Sequence, residues 1–307
     1  MSVRSMSDDN DIAVWDRFWK SQSVGQRGGC LPDGWRAIEI AQKSVWRDFV
    51  AGASENFAVL DLATGDGRVL RWIEETGRAG ELVGVDSATS LPDCGDAIHM
   101  LGGTPVENLP FEADRFDLIT SQFGFEYCHV EDAAAQIAKV MRADGKAGLL
   151  MHRGDGPILA HNLARAAAIE WVSEDRKLFE RAMQAVRAGP QFFQGFVAHC
   201  QGTARMGAEQ FGSWSPAWEI AEAISRSFQM EQRYQSGKLR LTLDAIRSQS
   251  RNEFERISSL QKACAVADDE DRLAKAFASA GLTQLSAEPV QDAAGSAFAI
   301  FHVLRKR

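Results

Sequence analysis

Between Phe57 and His152 the chain repeats short apolar runs separated by turns, and no other feature narrows the fold as much. The runs are FAVLDLA (57–63), ELVGVD (81–86), AIHMLGG (97–103), FDLITSQ (116–122) and KAGLLMH (146–152). Runs this short and this continuously apolar are how strands buried on both faces of a parallel sheet read. Helical spacing fills two of the gaps, over 68–76 and over 132–141, where Ala133, Ile137, Val140 and Met141 share a face. Strands alternating with helices predict βαβ units wound on both sides of one sheet. The gap over 86–97, which carries Pro92 and Gly95, leaves hardly any room for a crossover helix.

After His152 the strand signal stops. Apolar spacing turns helical through ILAHNLARAAAIEWV, AWEIAEAISRSF and the series Phe254, Ile257, Leu260 and Cys264. Strand character returns in LSAEPVQ and SAFAIFHVLRK with only DAAG between them, and so short a turn makes the two antiparallel neighbours. Upstream, IAVWDRFWKS sets Val14, Trp15, Phe18 and Trp19 on one helical stripe that needs something to cover. A linker rich in Gly and Gln follows over 22–34, then a second helix around 35–50; the acidic first ten residues read as disordered. The expected fold is α/β: a doubly wound, mostly parallel seven-stranded sheet with a C-terminal antiparallel hairpin and a large helical insertion after strand 5. The expected organisation is N-terminal helices over 1–55, the sheet core over 56–155 and 268–307, and the insertion over 156–267.

Composition excludes several functions. The 307 residues carry a formal charge of -8, which repels polyanions, so no nucleic-acid partner is expected. The basic cluster RKR at the end reads as a solvated tail. No apolar run approaches the roughly 20 residues of a membrane helix, and MSVRSMSDDNDIAV lacks the apolar stretch of a secretory signal, so a cytoplasmic location is expected. Cys30, Cys94, Cys128, Cys200 and Cys264 form no CxxC and read as reduced thiols. No histidine pair has metal-ligand spacing such as HExxH, and no metal is expected.

The most informative turn is LDLATGDGR, where Gly65 and Gly67 flank Asp66 between a strand and a helix. Small residues there let the backbone turn sharply and approach a ligand closely. A dinucleotide fingerprint wants a third glycine where Leu70 stands, and a Walker A loop wants a Gly-Lys-Ser/Thr that is absent. Acids at the end of the strand and inside the turn suit a positively charged ligand better than phosphates.

At these residues the chain resembles the class I methyltransferases that use S-adenosylmethionine (SAM), in particular the quinone-biosynthesis, methyltransferase type 11 branch. Their first motif runs acid-x-Gly/Ala-x-Gly-x-Gly, matched in register by Asp61, Ala63, Gly65 and Gly67. VGVD puts Asp86 where the family holds the ribose hydroxyls, followed by Ser87; VENLPFEADRFDLITSQFGFEY resembles the adenine loop and fourth strand. IAKVMRADGKAGLLMH resembles the helix, turn and fifth strand that follow. The resemblance implies a SAM cofactor, with S-adenosylhomocysteine (SAH) as product. It also implies adenine beside Val106 and Glu107, and the methionine part beside Ser121, Gln122 and Phe123. The stripe of Trp15, Phe18 and Trp19 in the N-terminal helices either covers the cofactor site or buries itself on the sheet. Pro105 stands where the family often has an Asp for the adenine amino group, so adenine falls to the backbone at Val106 and to Glu107. Taken singly, Asp86 also reads as a helix cap and Glu107 as a solvated loop acid.

Ligands of open α/β sheets bind beyond the carboxyl ends of the strands. His152 ends the fifth strand on that edge and is the first candidate for a general base; its plainer reading is a histidine bonded to a loop backbone. His129, Glu126 and Tyr127, after the fourth strand, are weaker candidates. In the insertion, Phe192, Phe193 and Phe196 form either an apolar lid or ordinary helix packing. The expected function is methyl transfer to an O or N atom of a small, partly apolar acceptor. The alternatives are a SAM/SAH-binding protein without transferase activity and a methyltransferase acting on a protein.

Overall fold

The apolar runs over 57–152 and the two runs near the end are strands of one sheet. They are β1 (Phe57–Leu62), β2 (Ala79–Val85), β3 (His99–Leu101), β4 (Phe116–Gln122), β5 (Met141–His152), β6 (Leu282–Gln291) and β7 (Ala297–Lys306). The sheet is seven-stranded in the order β3-β2-β1-β4-β5-β7-β6. The first five strands pair in parallel, while β7 runs antiparallel to both β5 and β6. This is the expected doubly wound sheet with its terminal hairpin. The order reverses between β1 and β4, which opens a crevice at their carboxyl ends.

The computed structural model describes residues 13–20, 35–235 and 237–307. They fall into two units, 1–159 with 259–307, and 160–258. The first ten residues and the linker over 22–34 lie outside the described residues.

In the first unit, helix α1 spans 13–20, and α2 (Arg36–Ala51), α3 (Arg68–Glu74), α4 (Val130–Val140) and α10 (Glu270–Ser279) flank the sheet. Side chains alternate along β1 as a two-faced strand requires. Ala58, Leu60 and Leu62 join a core with Ile137 of α4 and Phe277 of α10. Phe57 and Val59 join the opposite core with Trp46 of α2, Leu70 and Ile73 of α3, and Leu260 and Cys264. All six residues of β1 are buried. No helix forms in the short connection from β2 to β3, in keeping with Pro92 and Gly95.

The terminal RKR is not a solvated tail. Arg305 and Lys306 belong to β7, and Lys306 pairs with Asp114, because the strand has to reach that far to match β5 and β6.

The second unit is helical: α5 (Pro157–Glu170) leads into it, α6 (Leu178–Ala188), α7 (Phe193–Phe211) and α8 (Pro216–Tyr234) fill it, and α9 (Leu239–Ala267) leads out. It has its own core, in which Phe193 and Phe196 meet Phe228 with ring centroids 4.9 Å and 4.7 Å apart. Of the two readings of the phenylalanine cluster, these two side chains follow helix packing; Phe192 is exposed.

Candidate functional site

Left-handed backbone collects at the crevice between β1 and β4. Ala63, Gly65 and Gly67 have φ of 51°, 55° and 67°, and Phe123, just past β4, has φ of 56°. Glycine adopts this region freely, but Ala63 and Phe123 hold it at a cost that the surrounding structure must overcome. Gly67 caps α3, and a Cβ there would come within 2.6 Å of Cys94 Sγ. At Gly65 a Cβ would run into the indole of Trp19, which lies directly on the turn.

Two buried carboxylates frame this turn. Asp61 is 1% exposed and accepts from Thr64 Oγ1 at 2.7 Å and Thr120 Oγ1 at 2.6 Å. Thr120 faces Asp61 because the parallel register of β1 and β4 sets them opposite. Burial pushes the Asp61 carboxyl up to about 7 against the pull of the two hydroxyls, and the nearby Asp66 and Asp86 add to the rise. Asp86 accepts from Gly65 N–H and Ala88 N–H, both at 2.9 Å, and burial likewise raises its pKa against those bonds. Asp66, the acid inside the turn, is held by Arg68 through Nη2 at 2.7 Å. With Asp66 already paired, the carboxyl groups left to meet a ligand at the turn are Asp61 and Asp86, and burial disfavours the charge of both.

The other candidate residues are placed by local bonds. Ser87 is partly buried. Val106 is buried at the start of a short 3-10 helix, and Glu107 Oε1 accepts His129 N–H at 2.8 Å, tying that helix to the start of α4. Ser121 Oγ donates to the Leu62 carbonyl and accepts from Phe125 N–H, both at 3.1 Å, which clamps β4 to β1. The Gln122 amide oxygen accepts from Trp46 Nε1 at 2.7 Å, so α2 fixes that side chain. Thr64 already stood inside the LDLATGDGR turn, whereas the places of Thr120, Trp46 and Cys94 escaped the sequence reading, since only tertiary contacts bring them here.

At the same edge, His152 is buried and meets Glu126. Glu126 Oε1 accepts from His152 N–H at 2.9 Å and lies 2.8 Å from His152 Nδ1. The imidazole stacks on Phe123 at 4.0 Å between centroids, and Tyr127 stands edge-on at 6.2 Å. Glu126 is itself 1% exposed, and its Oε2 has no hydrogen-bond partner among the described residues.

Helix α1 closes the edge from the N-terminal side. Phe18 and Trp19 pack with Ala88, and Trp15 meets Tyr127 edge-on at 5.6 Å. Asp16 Oδ1 accepts from Thr89 N–H at 2.7 Å and Thr89 Oγ1 at 2.8 Å, which pins α1 to the segment after β2.

Among the described residues no group of three or more His, Cys, Asp or Glu side chains is gathered as a metal would need, and no helix is long and apolar enough to cross a membrane.

In comparison with known proteins, residues 60–149 match a family described as a methyltransferase domain. No curated protein sequence matches the chain. Among solved structures, a complex between the Haloferax volcanii Trm112 methyltransferase activator and a methyltransferase is similar at 14% identity and a TM-score of 0.45, covering 99% of both chains. The Burkholderia thailandensis 1,6-didemethyltoxoflavin N1-methyltransferase, solved with 1,6-didemethyltoxoflavin and SAH, is similar at 13% identity and 0.47, covering 100% of this chain and 93% of that one. The Streptomyces coelicolor geranyl diphosphate C-methyltransferase is similar at 13% identity and 0.38, covering 49% and 66%.

Proposed function

We propose that the chain, whose residues 60–149 match a methyltransferase domain family on a Rossmann-like sheet, binds SAM at the Gly65 turn and transfers its methyl group to an oxygen or nitrogen of a small, partly apolar acceptor. The observation that carries this reading is the pair of buried carboxylates, Asp61 and Asp86, beside a left-handed glycine turn at the reversal of strand order. Buried acids whose charge is disfavoured are matched by a ligand that brings positive charge and hydroxyl donors together. SAM brings an ammonium, a sulfonium and two ribose hydroxyls, and the donor set fits it.

In this reading Asp61, Ala63, Gly65 and Gly67 hold the methionine end, with Ser121, Gln122 and Phe123 along β4. Asp86, with Ser87, takes the ribose, and its carboxylate keeps lone pairs beyond the two backbone bonds it already accepts. Val106 and Glu107 flank the adenine. SAM supplies a methyl group on a good leaving group, so the protein's part is to aim the acceptor and exclude water, effects worth several kcal/mol.

The test is isothermal titration with SAH, followed by mass spectrometry for SAH formed from SAM with a panel of small phenols, amines and N-heterocycles. We expect SAH to bind the wild type and to lose binding in Gly65→Arg, whose side chain would meet Trp19. Equal affinity in that variant sinks the site. Binding with no product from any acceptor favours a SAM/SAH-binding protein without transfer.

A further inference from the structure

Glu126 is a costly residue to keep as it stands. A carboxylate that is 1% exposed, with one oxygen engaged only by His152 and the other without a partner, destabilises the fold unless something needs it there. A backbone-capping role would use His152 N–H alone. Instead the same oxygen also meets Nδ1, and the ring stacks face to face on Phe123 with Tyr127 edge-on nearby, so the bond fixes the position of the imidazole and the stack fixes its plane. A carboxylate at Nδ1 favours the tautomer that carries its proton there, which leaves the Nε2 lone pair available to accept one.

We infer that Glu126 is a positioning residue that holds His152 as a general base, and that the acceptor is therefore one whose attacking oxygen or nitrogen still carries a proton when it reaches the site. The inference rests on the methyl-transfer reading. The acceptor's lone pair forms the new bond to the methyl carbon as the carbon–sulfur bond breaks, and that electron pair stays on sulfur. The acceptor's proton passes to His152 Nε2, and the resulting imidazolium is stabilised by the Glu126 carboxylate until it releases a proton to solvent.

The neighbouring groups leave that charge pattern intact. Burial holds the Cys264 thiol at about 12, with Glu126 and Asp268 adding to the rise, so it stays neutral. Burial pushes His302 below its usual range while Glu126 pulls the other way. Arg153, next in sequence to His152, is paired with Asp155.

Nitrogen-resolved histidine NMR of the full chain, with and without SAH, tests the inference. We expect His152 at pH 8 to carry its proton on Nδ1 with Nε2 bare, and Glu126→Gln to lose that preference. Glu126→Gln should also keep its SAH affinity yet turn over about 100-fold more slowly, the lower end of what a positioned general base contributes. The loss should shrink across a series of substituted phenols as they become acidic enough to arrive ionised, a dependence that damage to the fold alone would not give. His152 found with its proton on Nε2 in the wild type overturns the inference, whatever the kinetics. Absence of SAH binding would instead overturn the cofactor reading, and the two failures are read from different measurements.

Discussion

Asp61 sits where a small chemical change should have a measurable signature. The unfolded carboxyl titrates near 3.8 and the folded one near 7. Between those values the unfolded chain releases a proton that the folded chain still holds, so this group makes stability fall as pH rises from about 4 to 7. Asp61→Asn removes that slope. In urea melts at matched pH, the variant should gain a few kcal/mol relative to wild type between pH 4.5 and pH 8. A difference between the two proteins that stays constant with pH would mean the carboxylate ionises without penalty. The acid itself was legible in the sequence because it breaks the first apolar run just before the glycine turn. Its partners were not: Thr120 lies 59 positions away and is brought opposite only by strand pairing. Asp66 shows the converse, since the sequence suggested a charged turn but a neighbouring guanidinium already holds that side chain.

At the scale of elements, the strands were readable because parallel strands buried on both faces must be apolar throughout, and the hairpin because its turn was too short for any crossover. Helix α1 was readable as an amphipathic stripe, but what it covers depended on contacts that no periodicity encodes. Those contacts put Trp19 on the Gly65 backbone and Asp16 on Thr89. Burial works against the ionised Asp16 carboxylate, yet the bonds from Thr89 and Ser90 outweigh it and lower its pKa, so the anchor is charged at neutral pH. A ligand that approaches Gly65 has to share this surface with the indole or displace it. Asp16→Ala should loosen α1, raising amide exchange over 13–20 and speeding both association and dissociation of SAH several-fold in stopped-flow measurements. If Asp16→Ala and Trp19→Ala both leave those rates unchanged, α1 is packing and not a gate.

For the whole molecule, the insertion was visible as a change of period from strand to helix, but that it has its own core was not, because helical spacing alone does not say which apolar faces meet. Phe193 and Phe196 each meet Phe228 within residues 160–258, and Phe228 is fully buried. Deleting a buried phenylalanine side chain costs about 3–5 kcal/mol through lost transfer energy and the cavity left behind. If the two units have separate cores in energetic terms, Phe228→Ala should cut amide protection across α6, α7 and α8 while strands β1, β4 and β5 keep theirs, since opening energies differ between cooperative units. SAH titrated into that variant should still protect the segment around Gly65 and Asp86, because every residue proposed to hold it belongs to the first unit. Protection lost evenly through both units would mean that they unfold as one, and the core around Phe228 would not be an independent cooperative unit.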